Sequence, residues 1–327
     1  MICTKKAIVC ERFGSADVLE LKVIEKSTPK DNEVLIKNYA SAMQALDITF
    51  RSGRKVLSGL DRIFMSGIRK PRVKIPGLDY SGEIVSIGSK VTNFKAGDQV
   101  YSIAKSGAAC AEYLSVSSTK DIAIKPTNMN FQEAAAVVGG AIPSLAALKD
   151  LAKIQSGQKV LINGASGGLG TFAVQIAKNV YNTEVTGVYG TSNLNMVKEL
   201  GADFVIDYTK ENFTKKGQMY DVIFDAVGKN TFSNCKNSLT KNGIYVTVDF
   251  YNPKMHLIQM ITSKFTGKKI KSGMLGNFDD LNLLRNLIEE GKIKSVIDKV
   301  YPLDQIADAH QHYETGHAKG RIVIEIA

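Results

Sequence analysis

The sequence has no tryptophan, only four cysteines and few prolines. Cys3, Cys10, Cys110 and Cys235 form no C-x-x-C pair, which argues against a disulfide-stapled or zinc-ribbon domain and favours reduced thiols. We find no run of about 20 apolar residues, the length that crosses a bilayer, and no apolar run after the first lysines, so we expect neither a membrane span nor a secretory signal. The expected location is the cytoplasm.

The 327 residues are 44% hydrophobic and 23% charged, which is ordinary for an enzyme with two domains. The net charge of +10 is spread over scattered lysines, which indicates a solvated surface more than one basic face. The exception is the segment from Arg51 to Lys74, where eight basic residues and one acid alternate with apolar ones. This segment predicts a basic amphipathic helix or a mobile flap.

The hydrophobic pattern changes its period near residue 130. Before it, short alternating runs such as 33–42 and 79–87 predict a β-rich region. After it, apolar strands alternate with helical segments, and residues 231–243 are predicted to be one of the helices. This alternation predicts an α/β fold with a doubly wound parallel sheet, the Rossmann arrangement. We expect a domain of residues 127–278, and a second one of 1–126 together with the returning tail 279–327.

The most informative segment is a glycine-rich loop between a buried strand and a helix. The strand ends at Asn163, and the helix follows Gly170. A helix N-terminus offers backbone N–H donors to a pyrophosphate, and glycines let the backbone approach it closely. The predicted cofactor-binding residues of this loop are Gly164, Ala165, Ser166, Gly167, Gly168 and Leu169.

The turn after the next strand bears on which dinucleotide binds. Sites for NAD commonly carry an acid there, which accepts from the ribose hydroxyls. Here the strand ends in Gly190, Thr191, Ser192 and Asn193, with no acid. Because a carboxylate would repel a 2′-phosphate and these residues would not, the turn favours NADP as the cofactor.

Several ordered motifs together resemble the medium-chain dehydrogenase/reductase superfamily, in its zinc-independent, quinone oxidoreductase-like branch. PGLDYSGEIV at 76–85 is similar to its PGxDxxGxV signature, and VTNFKAGDQV at 91–100 to the turn that follows it. LGAD at 200–203 and the closing AHQHYETGHAKGRIVIEI also match. The resemblance implies a GroES-like β domain beside the Rossmann domain, and it adds Val227, in YDVIFDAVG, to the cofactor-binding residues.

The ligands that hold zinc in related enzymes are missing. Leu78 stands where those enzymes have histidine, residues 42–47 contain no thiol or imidazole, and the stretch after Val100 has one cysteine instead of four. Since zinc needs about four ligands, we expect no metal site. The resemblance implies that an amide lies near the nicotinamide, and Gln44 is the predicted catalytic residue. Asp47 and Asp79 are interpreted as structural.

The predicted function is therefore an NADPH-dependent reductase that acts on a quinone or on the C=C bond of an α,β-unsaturated carbonyl. The alternative is a weak or inactive member of the family that acts as a nucleic-acid, membrane or protein binding scaffold through Arg51–Lys74. We expect a homodimer that pairs the sheet edge at 268–273 across a two-fold axis. Candidate proton donors are Tyr39, Tyr101 and Tyr251. The three histidines near the C-terminus, at 310, 312 and 317, are interpreted as surface residues.

Overall fold

The computed structural model describes residues 3–53, 67, 69–119, 121–191, 194–228, 230–248, 261, 263, 267–273, 276 and 280–327. The chain forms two compact units. The first comprises Met1–Gly139, Phe278–Glu289 and Ser295–Ala327, and the second Gly140–Asn277 and Glu290–Lys294. The boundary lies inside a helix, whereas the sequence analysis places it before residue 127.

The first unit is β-rich, as the sequence pattern predicts. Its elements are β1 (Thr4–Cys10), β2 (Leu19–Glu25), β3 (Glu33–Ala42), α1 (Ala45–Ser52), β4 (Asp79–Ile87), β5 (Gln99–Ile103), β6 (Tyr113–Ser117), β7 (Ile122–Ile124), the start of α2 (Phe131–Leu145), and further along the chain α6 (Leu281–Glu289), β14 (Ile297–Pro302), α7 (Ile306–Glu314) and β15 (Arg321–Glu325). A seven-stranded sheet has the order β14-β15-β3-β4-β5-β7, with β6 paired to β3. The returning tail therefore supplies two strands of the sheet, and β15 lies beside β3.

The second unit is a Rossmann domain. Its elements are β8 (Lys159–Asn163), α3 (Gly170–Gln175), β9 (Glu184–Tyr189), α4 (Leu194–Glu199), β10 (Phe204–Asp207), β11 (Tyr220–Asp225), α5 (Phe232–Cys235), β12 (Leu239–Thr247) and β13 (Lys269–Ser272). Every ladder of its six-stranded sheet is parallel, and the strand order is β10-β9-β8-β11-β12-β13. This confirms the predicted fold class.

One predicted helix is much shorter than expected. Residues 231–243 were predicted to be helical, but α5 and a 3₁₀ turn end at Ser238, and β12 already begins at Leu239. Leu239 is buried among the side chains of the sheet core and pairs in register with Tyr220. Tertiary packing of this leucine therefore outweighs the local helical pattern.

Helix α2 is continuous through Gly139, Gly140 and Pro143, although glycine and proline inside a helix normally destabilise it. A Cβ on Gly139 would collide with Asp79 and Gln44, and one on Gly140 with the Gly168 carbonyl. The glycines therefore permit close approach. With the π-helical turn Ala146–Ala152, the segment Phe131–Ala152 has 22 residues and is long and apolar enough to cross a membrane by length and composition. Our expectation of no such run was wrong, although 67% of its apolar window is buried in the protein.

Candidate functional site

The glycine-rich loop has the local geometry that its sequence predicts. Gly164 has a φ of 83°, a left-handed conformation that glycine adopts without strain. The N–H groups of Gly164 and Ala165 both donate to the Val188 carbonyl, at 2.9 and 3.0 Å, which binds the loop to β9. A Cβ on Gly170 would collide with the Gly164 carbonyl, so the first residue of α3 lies directly against the end of β8.

The same loop offers donors and space to an anion. Within the described part of the chain, the N–H groups of Ser166, Gly168 and Leu169 have no hydrogen-bond partner. A Cβ built on Gly167 meets only the Gly164 carbonyl, at 3.5 Å, so the surface beside it is open. Unpaired donors at the start of a helix fit the pyrophosphate of a dinucleotide.

A carboxylate that the sequence analysis missed lies beside the turn after β9. Asp207, the last residue of the neighbouring strand β10, accepts from the Thr191 hydroxyl at 2.6 Å and from the Thr209 hydroxyl at 2.7 Å. These hydrogen bonds lower the pKa of Asp207. Lys210 Nζ lies 3.7 Å from the same carboxylate. The predicted residues Ser192 and Asn193 lie outside the described residues.

An aromatic side chain stands next to Gly190 at this turn. Tyr208 is 64% exposed, and a Cβ on Gly190 would lie 3.4 Å from its ring. The phenol can donate a hydrogen bond to a ligand placed on the turn. In the sequence the only sign of Tyr208 is its place directly after the strand that ends at Asp207.

Val227 lies in the loop that follows β11. Its side chain is 45% exposed, and a Cβ on Gly164 would collide with it. Val227 and the glycine loop are therefore in contact at the carboxyl ends of the adjacent strands β8 and β11. An exposed apolar side chain beside unpaired N–H donors is suited to the apolar and charged parts of one ligand.

Gln44, in the first unit, is held by hydrogen bonds from both its backbone and its side-chain amide. Its backbone N–H donates to Asp47 at 2.8 Å, and its side-chain Nε2 donates to Asp79. Asp79 in turn forms an ion pair with Arg321, the first residue of β15. Because β15, β3 and β4 are neighbours in the sheet, the fold places the amide, the carboxylate and the guanidinium together. The Gln44 side chain and the Asp47 backbone complete a capping box at the start of α1, so the amide is held from this side as well.

The two carboxylates near Gln44 are fully buried. Burial raises the pKa of Asp79 to about 7, against the opposing effect of Arg321. Burial likewise raises the pKa of Asp47 to about 6, although the N–H groups of Gln44 and Gly77 donate to it. Asp47 fixes the start of α1 and Asp79 fixes the amide, which is the supporting role that we expected of them.

The candidate proton donors and the basic segment remain. Of the three tyrosines, two have other contacts in the structure. The Tyr101 hydroxyl is buried and donates to the Leu281 carbonyl at 2.8 Å. Tyr39 stacks on Phe131 with 4.4 Å between ring centroids. Tyr251 and residues 54–66 of the basic segment lie outside the described residues.

The interpretation of the histidines as surface residues was wrong for His310. His310 is 1% exposed, and burial, with the nearby charge of Arg51, lowers its pKa to about 3. His312 instead lies between the Tyr301 hydroxyl, at 3.1 Å, and Asp298, at 3.2 Å. In the described parts of the chain no three His, Cys, Asp or Glu side chains are grouped to hold a metal.

Comparison with known proteins identifies the family. Residues 30–206 match the alcohol dehydrogenase GroES-like domain, and residues 200–324 match the zinc-binding dehydrogenase family. An Arabidopsis thaliana protein named NADPH-dependent alkenal/one oxidoreductase, chloroplastic, is 32% identical over 98% of this chain and 79% of its own length. The chloroplast envelope quinone oxidoreductase homolog of the same plant is 34% identical over 95% of both chains.

A solved structure shows the same fold. The quinone oxidoreductase from Coxiella burnetii superposes with a TM-score of 0.87 at 27% identity, covering 99% of this chain and all of that one. The chain therefore belongs to the medium-chain dehydrogenase/reductase superfamily, in its zinc-independent, quinone oxidoreductase-like branch. It is an oxidoreductase that uses a nicotinamide cofactor.

Proposed function

We propose that the protein is an NADPH-dependent reductase that transfers a hydride to a quinone or to the C=C bond of an α,β-unsaturated carbonyl compound. The names of its relatives, an alkenal/one oxidoreductase and a quinone oxidoreductase homolog, support this substrate class. The observation that carries the proposal is the loop 164–169, because its unpaired N–H groups and open surface suit the pyrophosphate of the cofactor.

The preference for NADPH rests on the turn after β9. Asp207 already accepts from the hydroxyls of Thr191 and Thr209, and its charge is opposed by Lys210. In the described residues of this turn, no other carboxylate is offered to a ribose 2′-hydroxyl. The exposed Tyr208 hydroxyl and the Lys210 ammonium are both donors that a 2′-phosphate accepts from.

Gln44 is proposed to act on the substrate oxygen. When a conjugated carbonyl is reduced at carbon, negative charge develops on its oxygen, and a fixed hydrogen-bond donor stabilises that charge. One N–H of Gln44 is held by Asp79, so the direction of the second N–H is fixed before the substrate binds. An amide also remains neutral throughout the pH range in which enzymes work.

The test is a cofactor-consumption screen over quinones, 2-alkenals and cyclic enones with NADPH and with NADH. We expect turnover on at least one class with NADPH, and weaker binding of NADH in fluorescence titrations. Absence of turnover on all three classes would contradict the proposal and favour the inactive scaffold. Equal affinity for the two cofactors would contradict the assigned preference alone, and ready oxidation of simple alcohols would contradict the zinc-free chemistry.

A further inference from the structure

Asp225 occupies a central place at the carboxyl edge of the Rossmann sheet. It is the last residue of β11 and has no exposed surface. Its register partners are Asn163 at the end of β8 and Thr247 at the end of β12. A buried carboxylate at this position needs hydrogen-bond donors on all sides, because leaving it unsatisfied would be costly.

The structure supplies five donors to this carboxylate. They are the Asn163 side-chain amide at 2.7 Å, the N–H groups of Val227 at 3.3 Å, Gly228 at 3.2 Å and Asn230 at 2.9 Å, and the Tyr245 hydroxyl at 3.0 Å. Burial, and then the adjacent Asp225 charge, raises the pKa of Tyr245, so its phenol stays protonated and able to donate. The loop that follows β11 therefore folds around the Asp225 carboxylate at the end of that strand.

This arrangement couples two segments that we assign to the cofactor site. Asn163, which donates to Asp225, is the residue directly before the glycine loop, and its carbonyl accepts from the Ala226 N–H at 3.0 Å. Val227, whose N–H donates to Asp225, lies in contact with Gly164. The position of the Val227 side chain relative to the loop thus depends on one buried group.

The strand order indicates which half of the cofactor meets Val227. The ribose turn follows β9, the pyrophosphate loop follows β8, and Val227 follows β11, and these strands are consecutive in the sheet. A dinucleotide with its adenosine on β9 and its pyrophosphate on β8 extends its other half toward β11. The nicotinamide half is therefore the part that Val227 contacts.

We propose that Asp225, with Asn163 and Tyr245, is a positioning residue for the nicotinamide half of the cofactor. This inference rests on the proposed function, because it requires a dinucleotide on the loop 164–169. Asp225 does not touch the cofactor; it holds the Val227 loop and the glycine loop in the arrangement that binds the nicotinamide end. The adenosine end, bound two strands away, does not depend on it.

The test compares two ligands and two matched variants. NADPH contacts both halves of the site, whereas adenosine 2′,5′-bisphosphate carries only the adenosine end. Asp225→Asn keeps the shape but replaces one acceptor oxygen with a donor. Asp221→Asn is the control, since Asp221 lies on the same strand at its other end, where it accepts from the Lys159 N–H at 2.9 Å and the Thr240 hydroxyl at 3.1 Å.

Asp225→Asn should lower the affinity for NADPH roughly tenfold, a loss of about 1.4 kcal/mol of binding free energy. Its affinity for the bisphosphate should stay within about twofold of that of the parent protein. Asp221→Asn should leave both affinities unchanged. An equal loss for both ligands, or no loss for NADPH, would overturn the inference. If the parent protein binds the bisphosphate and NADPH equally weakly, the proposed function itself fails.

A second variant serves if Asp225→Asn does not fold. Tyr245→Phe removes one of the five donors and retains the ring in the core. It should lower the affinity for NADPH and not that for the bisphosphate, by a smaller factor than Asp225→Asn. Unchanged NADPH affinity in folded Tyr245→Phe would overturn the inference equally.

Discussion

Replacing Gln44 with alanine tests the proposed chemistry most directly. The substitution removes the amide that donates to Asp79, and with it the second N–H that we assign to the substrate oxygen. Loss of one donor to developing negative charge typically lowers turnover about 10²–10³-fold, which is about 2.7–4 kcal/mol of transition-state stabilisation. Because the predicted cofactor residues lie in the other unit, the affinity for NADPH should change little.

The same substitution has a structural cost that must be measured separately. A hydrogen bond to a charged group contributes about 1.5–3 kcal/mol to stability, so the free energy of unfolding should also fall. Gln132→Ala is a matched control, since Gln132 lies in the same unit and its amide donates to the carboxylate of Glu325 at 2.8 Å. Gln44→Met fills the space of the side chain without a donor and reports the loss of the amide with less disturbance of packing.

The assay is steady-state turnover on one active quinone or enone, with NADPH affinity measured by fluorescence on the same preparations. We expect kcat to fall in Gln44→Ala and Gln44→Met alike, with Gln132→Ala close to the parent protein. A kcat in both Gln44 variants that remains within about threefold of the parent, at equal NADPH affinity, would refute the role of Gln44.

Four further predictions concern stability, cofactor, metal and assembly. Burial raises the pKa of Asp79 to about 7 and that of Asp47 to about 6, from 3.8. The folded protein therefore binds more protons than the unfolded chain between about pH 4 and 7, and the free energy of unfolding should fall as pH rises, by up to about 1.4 kcal/mol per pH unit for each proton. Asp79→Asn should reduce this slope, and a free energy of unfolding that stays flat over this range in denaturant titrations would contradict the prediction. Gly167→Ala should leave the melting temperature unchanged, since the new methyl group meets only one carbonyl at 3.5 Å, yet weaken NADPH; unchanged affinity would mean that the loop is misassigned. Elemental analysis after dialysis should find no stoichiometric zinc, and about one zinc per chain would refute the zinc-free reading. We propose a dimer through the edge strand β13, Lys269–Ser272, and light scattering that gives the monomer mass of 35.6 kDa would exclude it.

The glycine loop illustrates what a sequence can reveal about a site. A strand, a glycine turn and a helix are consecutive in the chain, so their geometry depends on local φ values and on side-chain size. The positive φ of Gly164 and the close approach of Gly170 are both consequences of residues that can be read directly. The parallel sheet is predictable for a related reason, because each strand–helix–strand unit carries its own hydrophobic period. At Leu239 the local helical signal failed because tertiary packing overrode it.

The groups that surround these predicted residues come from distant parts of the chain. Asp79 meets Arg321 across 242 residues, and Asp207 reaches Thr191 only because β10 lies beside β9. Neither contact leaves a periodic signal, since strand order and register determine which side chains face each other at a sheet edge. His310, on helix α7, was misread because its burial depends on how that helix packs and not on its own sequence. The sequence by itself determined the family, the parallel sheet and the cofactor loop. Only the tertiary structure decided which buried carboxylates hold the loop and the Gln44 amide in place. The reason is that a buried charge is satisfied by neighbours in space and not by neighbours along the chain.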